Sequence, residues 1–90
     1  AAYYEILNTS TNWLIRKGIN KNLAQNYIAE LFLSLSQDAV NKRSQGFKKL
    51  VAESQTPKGL NMQVLNELKR GKFFSKFAKA LENVNKRVSK

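Results

Sequence analysis

Apolar residues recur along this chain with helical spacing, in five runs separated by short polar or glycine-containing breaks. In the first run, Ala1 to Lys17, the residues Tyr3, Ile6, Leu7, Ser10, Trp13 and Leu14 keep the i, i+3, i+4, i+7 rhythm of one helix face. Gly18 ends it, at the position where a left-handed residue costs nothing. The second run extends from about Asn20 to Asn41, with Asn20 or Asn22 placed to cap its first turn. A third, about Ser44 to Ser54, puts Phe47, Leu50 and Val51 on one face. Pro57 biases Thr56 away from helical backbone, so the segment Gln55 to Gly59 predicts a break. A fourth run, about Gly59 to Arg70, presents Leu60, Val64, Leu65 and Leu68 and stops at Gly71. The fifth, about Lys72 to Val88, carries Phe74, Phe77, Ala78, Leu81, Val84 and Val88. Nothing alternates with period two, so no sheet is expected. The pattern predicts an all-α bundle of about five helices.

The second run differs from the others. Leu23, Ala24, Tyr27, Ile28, Leu31, Phe32, Leu33, Leu35, Ala39 and Val40 do not fit on one face. A helix apolar nearly all round must be covered nearly all round. Over this length it would reach roughly 33 Å, whereas a globule of this size has a radius of gyration of roughly 12 Å. Four shorter neighbours are poor cover for it, and a second copy of the chain is the economical alternative. Ala24, Ala29, Ser34, Ser36 and Ala39 would let another helix approach closely.

Length strengthens that argument. At 90 residues the chain makes one domain, 1–90, and so short a chain buries only about 60–65% of its unfolded surface. There are no cysteines and no histidines. Disulfides and thiolate metal sites are therefore excluded, and a zinc site would need carboxylates alone. Association is the remaining route to stability. No apolar run approaches the roughly 20 residues of a membrane span, and the opening residues show no secretory signal pattern. The lack of cysteine fits a reducing, cytoplasmic setting. Ala1-Ala2-Tyr3-Tyr4 has the character of a helix interior, so a longer parent protein is expected.

The net charge of +10 is unevenly spread. Residues 1–41 carry Arg16, Lys17 and Lys21 against Glu5, Glu30 and Asp38, which cancel, so residues 42–90 hold the whole excess. Such a field attracts anions of every kind. In the stretch Lys69 to Phe77, cations and aromatics interleave as in nucleic-acid binders. Helical spacing nevertheless puts Phe74, Phe77 and Leu81 on one face and Lys72, Lys76, Lys79, Asn83 and Lys86 on another. That partition favours a core face and a solvated face. Trp13, Tyr3, Tyr4 and Tyr27 fit a core or interface better than a ligand cage.

Catalytic chemistry is sparse. Without His or Cys, serine–histidine and cysteine–histidine nucleophilic catalysis is impossible. Glu53 and Glu67 flank the break before the fourth run, but exposed glutamates are most often simply solvated. No Gly-x-Gly-x-x-Gly and no phosphate loop occurs, and the chain taken alone is not a self-sufficient enzyme. One local site has a physical rationale, the Thr56–Asn61 turn. A helix starting at Gly59 points its first amides outward, and with the helix dipole they suit a carboxylate or phosphate. Gly59 permits close approach and Lys58 adds charge. The competing reading is an ordinary connection between helices.

Three stretches together resemble the C-terminal domain of the pyrroline-5-carboxylate reductase family. Ala2-Tyr3-Tyr4-Glu5-Ile6-Leu7 is similar to that family's Pro-Ala-Tyr-Phe opening. Asn20 to Gln25 leads into a long apolar helix where the family has its second long helix. Thr56-Pro57-Lys58-Gly59-Leu60-Asn61-Met62-Gln63-Val64-Leu65 resembles the signature Ser-Pro-Gly-Gly-Thr-Thr-x-x-x-Leu. The resemblance implies an interlocked homodimer with a fold like the 6-phosphogluconate dehydrogenase C-terminal domain. It also implies a parent oxidoreductase of proline biosynthesis, whose separate Rossmann domain binds NADPH or NADH and which reduces a cyclic imino acid or related small carboxylate. Carried over by position, substrate-binding falls on Gly59, Leu60 and Asn61. Here the first signature glycine is Lys58 and the paired threonines are Leu60 and Asn61, so the hydroxyl donors are lost. Catalytic, cofactor-binding and metal residues are expected to be absent from the chain itself. The rival expectations are a basic helical nucleic-acid-binding module, motivated by charge, and a helical protein–protein adaptor without a ligand site.

Overall fold

The computed structural model describes residues 1–54 and 59–88. Every regular element among them is helical: α1 (Ala2–Arg16), α2 (Lys21–Asn41), a 3₁₀ turn (Arg43–Gln45), α3 (Phe47–Glu53), α4 (Leu60–Arg70) and α5 (Phe73–Val88). The five helices are those the apolar spacing predicts. One boundary moves. The third helix begins at Phe47 rather than near Ser44, because Arg43–Gln45 winds more tightly and Gly46, at φ 85°, breaks the path between the two.

The chain divides into two compact units, Ala1–Phe47 and Lys48–Lys90. In the first, α1 and α2 form a helical hairpin. Its turn is closed by a paired terminus: the Gly18 N–H donates to the Ile15 carbonyl (2.9 Å) and the Ile19 N–H to the Leu14 carbonyl (3.1 Å). This is the Schellman arrangement, and it requires a left-handed residue, which Gly18 supplies at φ 99°. Two residues later Asn20 starts the next helix. Its Oδ1 accepts from the Asn22 N–H (2.8 Å) and the Leu23 N–H (3.4 Å), satisfying donors that a helix start leaves open.

The hairpin core is thin. Thr11, Ala24 and Ile28 are the buried residues, with Leu7, Leu14, Ile15 and Phe32 half-buried around them. Ala24, Ile28 and Phe32 are spaced by four and form the stripe of α2 that meets α1. A neighbouring row with the same spacing, Leu23, Tyr27, Leu31 and Leu35, lies exposed, as do Leu33 and Val40 farther round. The long helix is therefore apolar on more than one face, and α1 covers one of them.

In the second unit α4 packs against α5. Gly71 follows α4, its N–H donating to the Glu67 carbonyl (3.0 Å). The left-handed residue of the connection is not this glycine but Lys72, at φ 61°. Along α5, Phe73, Phe74, Phe77, Leu81, Val84 and Val88 are all exposed.

Candidate functional site

Of the expected site, Gln55, Thr56, Pro57 and Lys58 lie outside the described residues. Gly59, Leu60 and Asn61 form the start of α4. Gly59 has extended backbone (φ −80°, ψ 166°) and is half-buried. Its carbonyl accepts the first helical bond, from the Gln63 N–H at 3.1 Å. No side chain among the described residues caps this terminus. The amides of Leu60, Asn61 and Met62 thus precede the first intrahelical donor and have no partner within the helix. Three outward N–H groups on a positive dipole end can bind one carboxylate or phosphate group. They supply no acid, base or nucleophile.

The two glutamates near this break are not drawn into a common site by any contact among the described residues. Glu53 ends α3 and pairs with Lys49 at 3.8 Å on the surface, while Glu67 is exposed on α4. No group of three or more Asp or Glu that could hold a metal occurs among the described residues. The 90 residues contain no dinucleotide-binding glycine pattern.

Tyr3, Tyr4, Trp13 and Tyr27 are all exposed, so none of them lies in the chain's buried core. Tyr3 meets Tyr4 (5.7 Å between centroids, 61°) and Phe32 (6.1 Å, 82°), both edge-on. The exposed Trp13 ring lies 5.9 Å from the Lys17 ammonium, within cation–π range.

A feature the sequence reading missed is an open groove of about 450 Å³ along α1 and α2, lined by Leu7, Asn8, Thr11, Asn12, Gln25 and Ile28 among others. On the α1 side its polar lining is the row Asn8, Thr11 and Asn12. Mixed lining of this kind suits another polypeptide as well as a small ligand.

The family model for pyrroline-5-carboxylate reductase dimerisation matches residues 1–90, the whole chain. The chain belongs to that family. No curated protein and no solved structure gives a significant match. As a pyrroline-5-carboxylate reductase dimerisation domain, it presents an exposed apolar row on α2 in its first unit and an exposed apolar face on α5 in its second. No helix among the described residues is long and apolar enough to cross a membrane.

Proposed function

We propose that residues 1–90 act as one homodimerising, substrate-side domain of a cytoplasmic NAD(P)-dependent reductase that acts on a cyclic imino acid or a related small carboxylate. The observation that carries this reading is the exposure of α2. Across 21 residues only Ala24 and Ile28 are buried, while Tyr27 is 60% and Leu35 is 55% exposed. Rows spaced by four residues are the ridges that interlock when helices cross. In a two-fold dimer the row Leu23, Tyr27, Leu31 and Leu35 meets its own symmetry copy, so each residue removed from water counts twice. Each large apolar side chain so buried contributes about 1.5–3 kcal/mol. The face Phe73, Phe77, Leu81, Val84 and Val88 of α5 is assigned to the same assembly.

Within that parent the start of α4 holds the substrate carboxylate through the backbone amides that follow Gly59, those of Leu60 and Asn61. Support comes from the uncapped helix start and from the likeness of Thr56 to Leu65 to the family's signature turn. The nicotinamide cofactor, held by a separate domain, supplies the hydride; this chain positions the acid and builds the dimer.

Light scattering tests the assembly. A mass of about 20 kDa, twice the 10.3 kDa chain, at both low and high salt is the expected result. A 10 kDa species at both salts overturns it. For the anion site, Gly59→Val in the full-length parent should raise KM for the imino acid far more than it lowers kcat. An unchanged KM removes the substrate role and leaves a plain dimerisation domain.

A further inference from the structure

Among the described residues, α4 and α5 with the turn between them carry Lys69, Arg70, Lys72, Lys76, Lys79, Lys86 and Arg87 against two acids, Glu67 and Glu82. None of these seven cations forms a salt bridge among the described residues; the ion pairs present are Lys42–Asp38 and Lys49–Glu53. All seven are exposed. Their arrangement is ordered. Lys76, Lys79 and Lys86, spaced by three and seven residues, form one stripe of α5 about 15 Å long, and Lys72 stands immediately before the helix. At 100° per residue this stripe lies opposite the apolar face centred on Phe77, Leu81 and Val84.

Lys72 adds an independent observation. It sits at φ 61°, a conformation that disfavours any residue with a Cβ and that glycine adopts freely. Glycine is one position away, at Gly71, with ordinary φ −77°. The turn therefore tolerates backbone strain at the residue directly before α5, where a lysine adds a further positive charge at the start of the stripe.

We propose that the stripe Lys72, Lys76, Lys79 and Lys86 is a docking surface for the phosphate backbone of duplex nucleic acid, bound without sequence preference. A duplex presents about one charge per 1.7 Å of axis, enough to engage every lysine of the stripe at once. The stripe carries no aromatic residue, so base stacking on single strands has no platform. An acidic membrane is the other extended polyanion. A membrane-lying helix inserts its apolar face, and here, resting on the dimer reading above, that face is covered by the second copy. The lysines then remain on the outside of the assembly.

The test is binding of a labelled 20-base-pair duplex, followed by anisotropy between about 50 and 300 mM salt. The quadruple variant Lys72→Gln, Lys76→Gln, Lys79→Gln, Lys86→Gln should bind at least about tenfold more weakly near 100 mM salt. Its log–log salt slope should fall by about 3–4 per chain. The charge-matched control Arg16→Gln, Lys17→Gln, Lys21→Gln, Lys48→Gln should lose less than about threefold, and arginine at the same four stripe positions should keep binding. Equal losses in the two glutamine variants, or no binding by the native protein near 100 mM salt, overturn the proposal. So does tighter binding to phosphatidylserine vesicles than to the duplex. Light scattering on the same samples separates the two readings: a monomer that still needs the stripe for duplex binding sinks the dimer and leaves the docking surface standing.

Discussion

The ring of Tyr3 stands edge-on to the ring of Phe32, with 6.1 Å between centroids and 82° between planes. The contact joins the first turn of α1 to the twelfth residue of α2, and so fixes the far end of the hairpin whose near end is closed at Gly18. Phe32 is half-buried. Phe32→Ala should cost about 2 kcal/mol, less than a fully buried phenylalanine, since edge-on pairing adds about 0.5–1.5 kcal/mol to a partial loss of buried area. Urea unfolding at fixed protein concentration measures it. A change below 0.5 kcal/mol would mean that the pair holds nothing.

The near end of the hairpin depends on a side-chain cap. Asn20→Ala removes the acceptor for the Asn22 and Leu23 amides and should cost about 1 kcal/mol, while Asn20→Asp should be close to neutral. The difference in urea midpoint between the two variants checks the cap directly.

Gly18 is a backbone requirement, not a steric one. A Cβ built there meets nothing within 4 Å, yet φ is 99°. Gly18→Ala should therefore destabilise by about 1 kcal/mol or more. If Gly18→Ala proves as stable as the native chain, the left-handed turn is not retained in solution.

Sequence spacing gave these elements readily because their ends are chemically marked. Asn20 and Gly18 are residues whose local bonding is nearly independent of tertiary context, and the excess of apolar positions on α2 is visible in the letters Leu23 to Val40. Two features were hidden. The tightened turn at Arg43–Gln45 has no composition of its own. The positive φ at Lys72 sits beside Gly71, so propensity points to the wrong neighbour. Of the candidate anion site, the break before the fourth helix is legible in the sequence, although Gly59 has extended backbone and the helix itself begins at Leu60; Thr56 to Lys58 fall outside the described residues. The groove on α1 and α2 escaped because grooves belong to pairs of helices, and spacing describes one helix at a time.

The exposed row on α2 separates dimer from monomer. Leu31→Glu with Leu35→Glu should reduce the solution mass from two chains to one and lower the melting temperature in a concentration-dependent way. In a monomer the same pair would change stability by only about 0.5 kcal/mol per site, as for ordinary surface positions. Light scattering combined with melting curves at two protein concentrations decides between these outcomes.

Lys72 offers a trade. Lys72→Gly relieves the left-handed strain and should stabilise the protein by about 0.5–1 kcal/mol. If the lysine stripe binds duplex nucleic acid, the same change should weaken that binding. Thermal melting and anisotropy on one preparation measure both effects, and a destabilised Lys72→Gly would show that the residue makes a favourable contact instead.

The four-residue link between Arg16 and Lys21 also sets an order of events in time. Closing so short a loop costs little entropy, and contacts between sequence neighbours form early. The α1–α2 hairpin should therefore assemble in a rapid phase whose rate does not depend on protein concentration. Only the later, slower phase, in which the row Leu23 to Leu35 finds its counterpart, should accelerate as the chain becomes more concentrated. On a ribosome the first unit would then be shaped before the second is synthesised, and would wait with an apolar ridge open until another chain arrives.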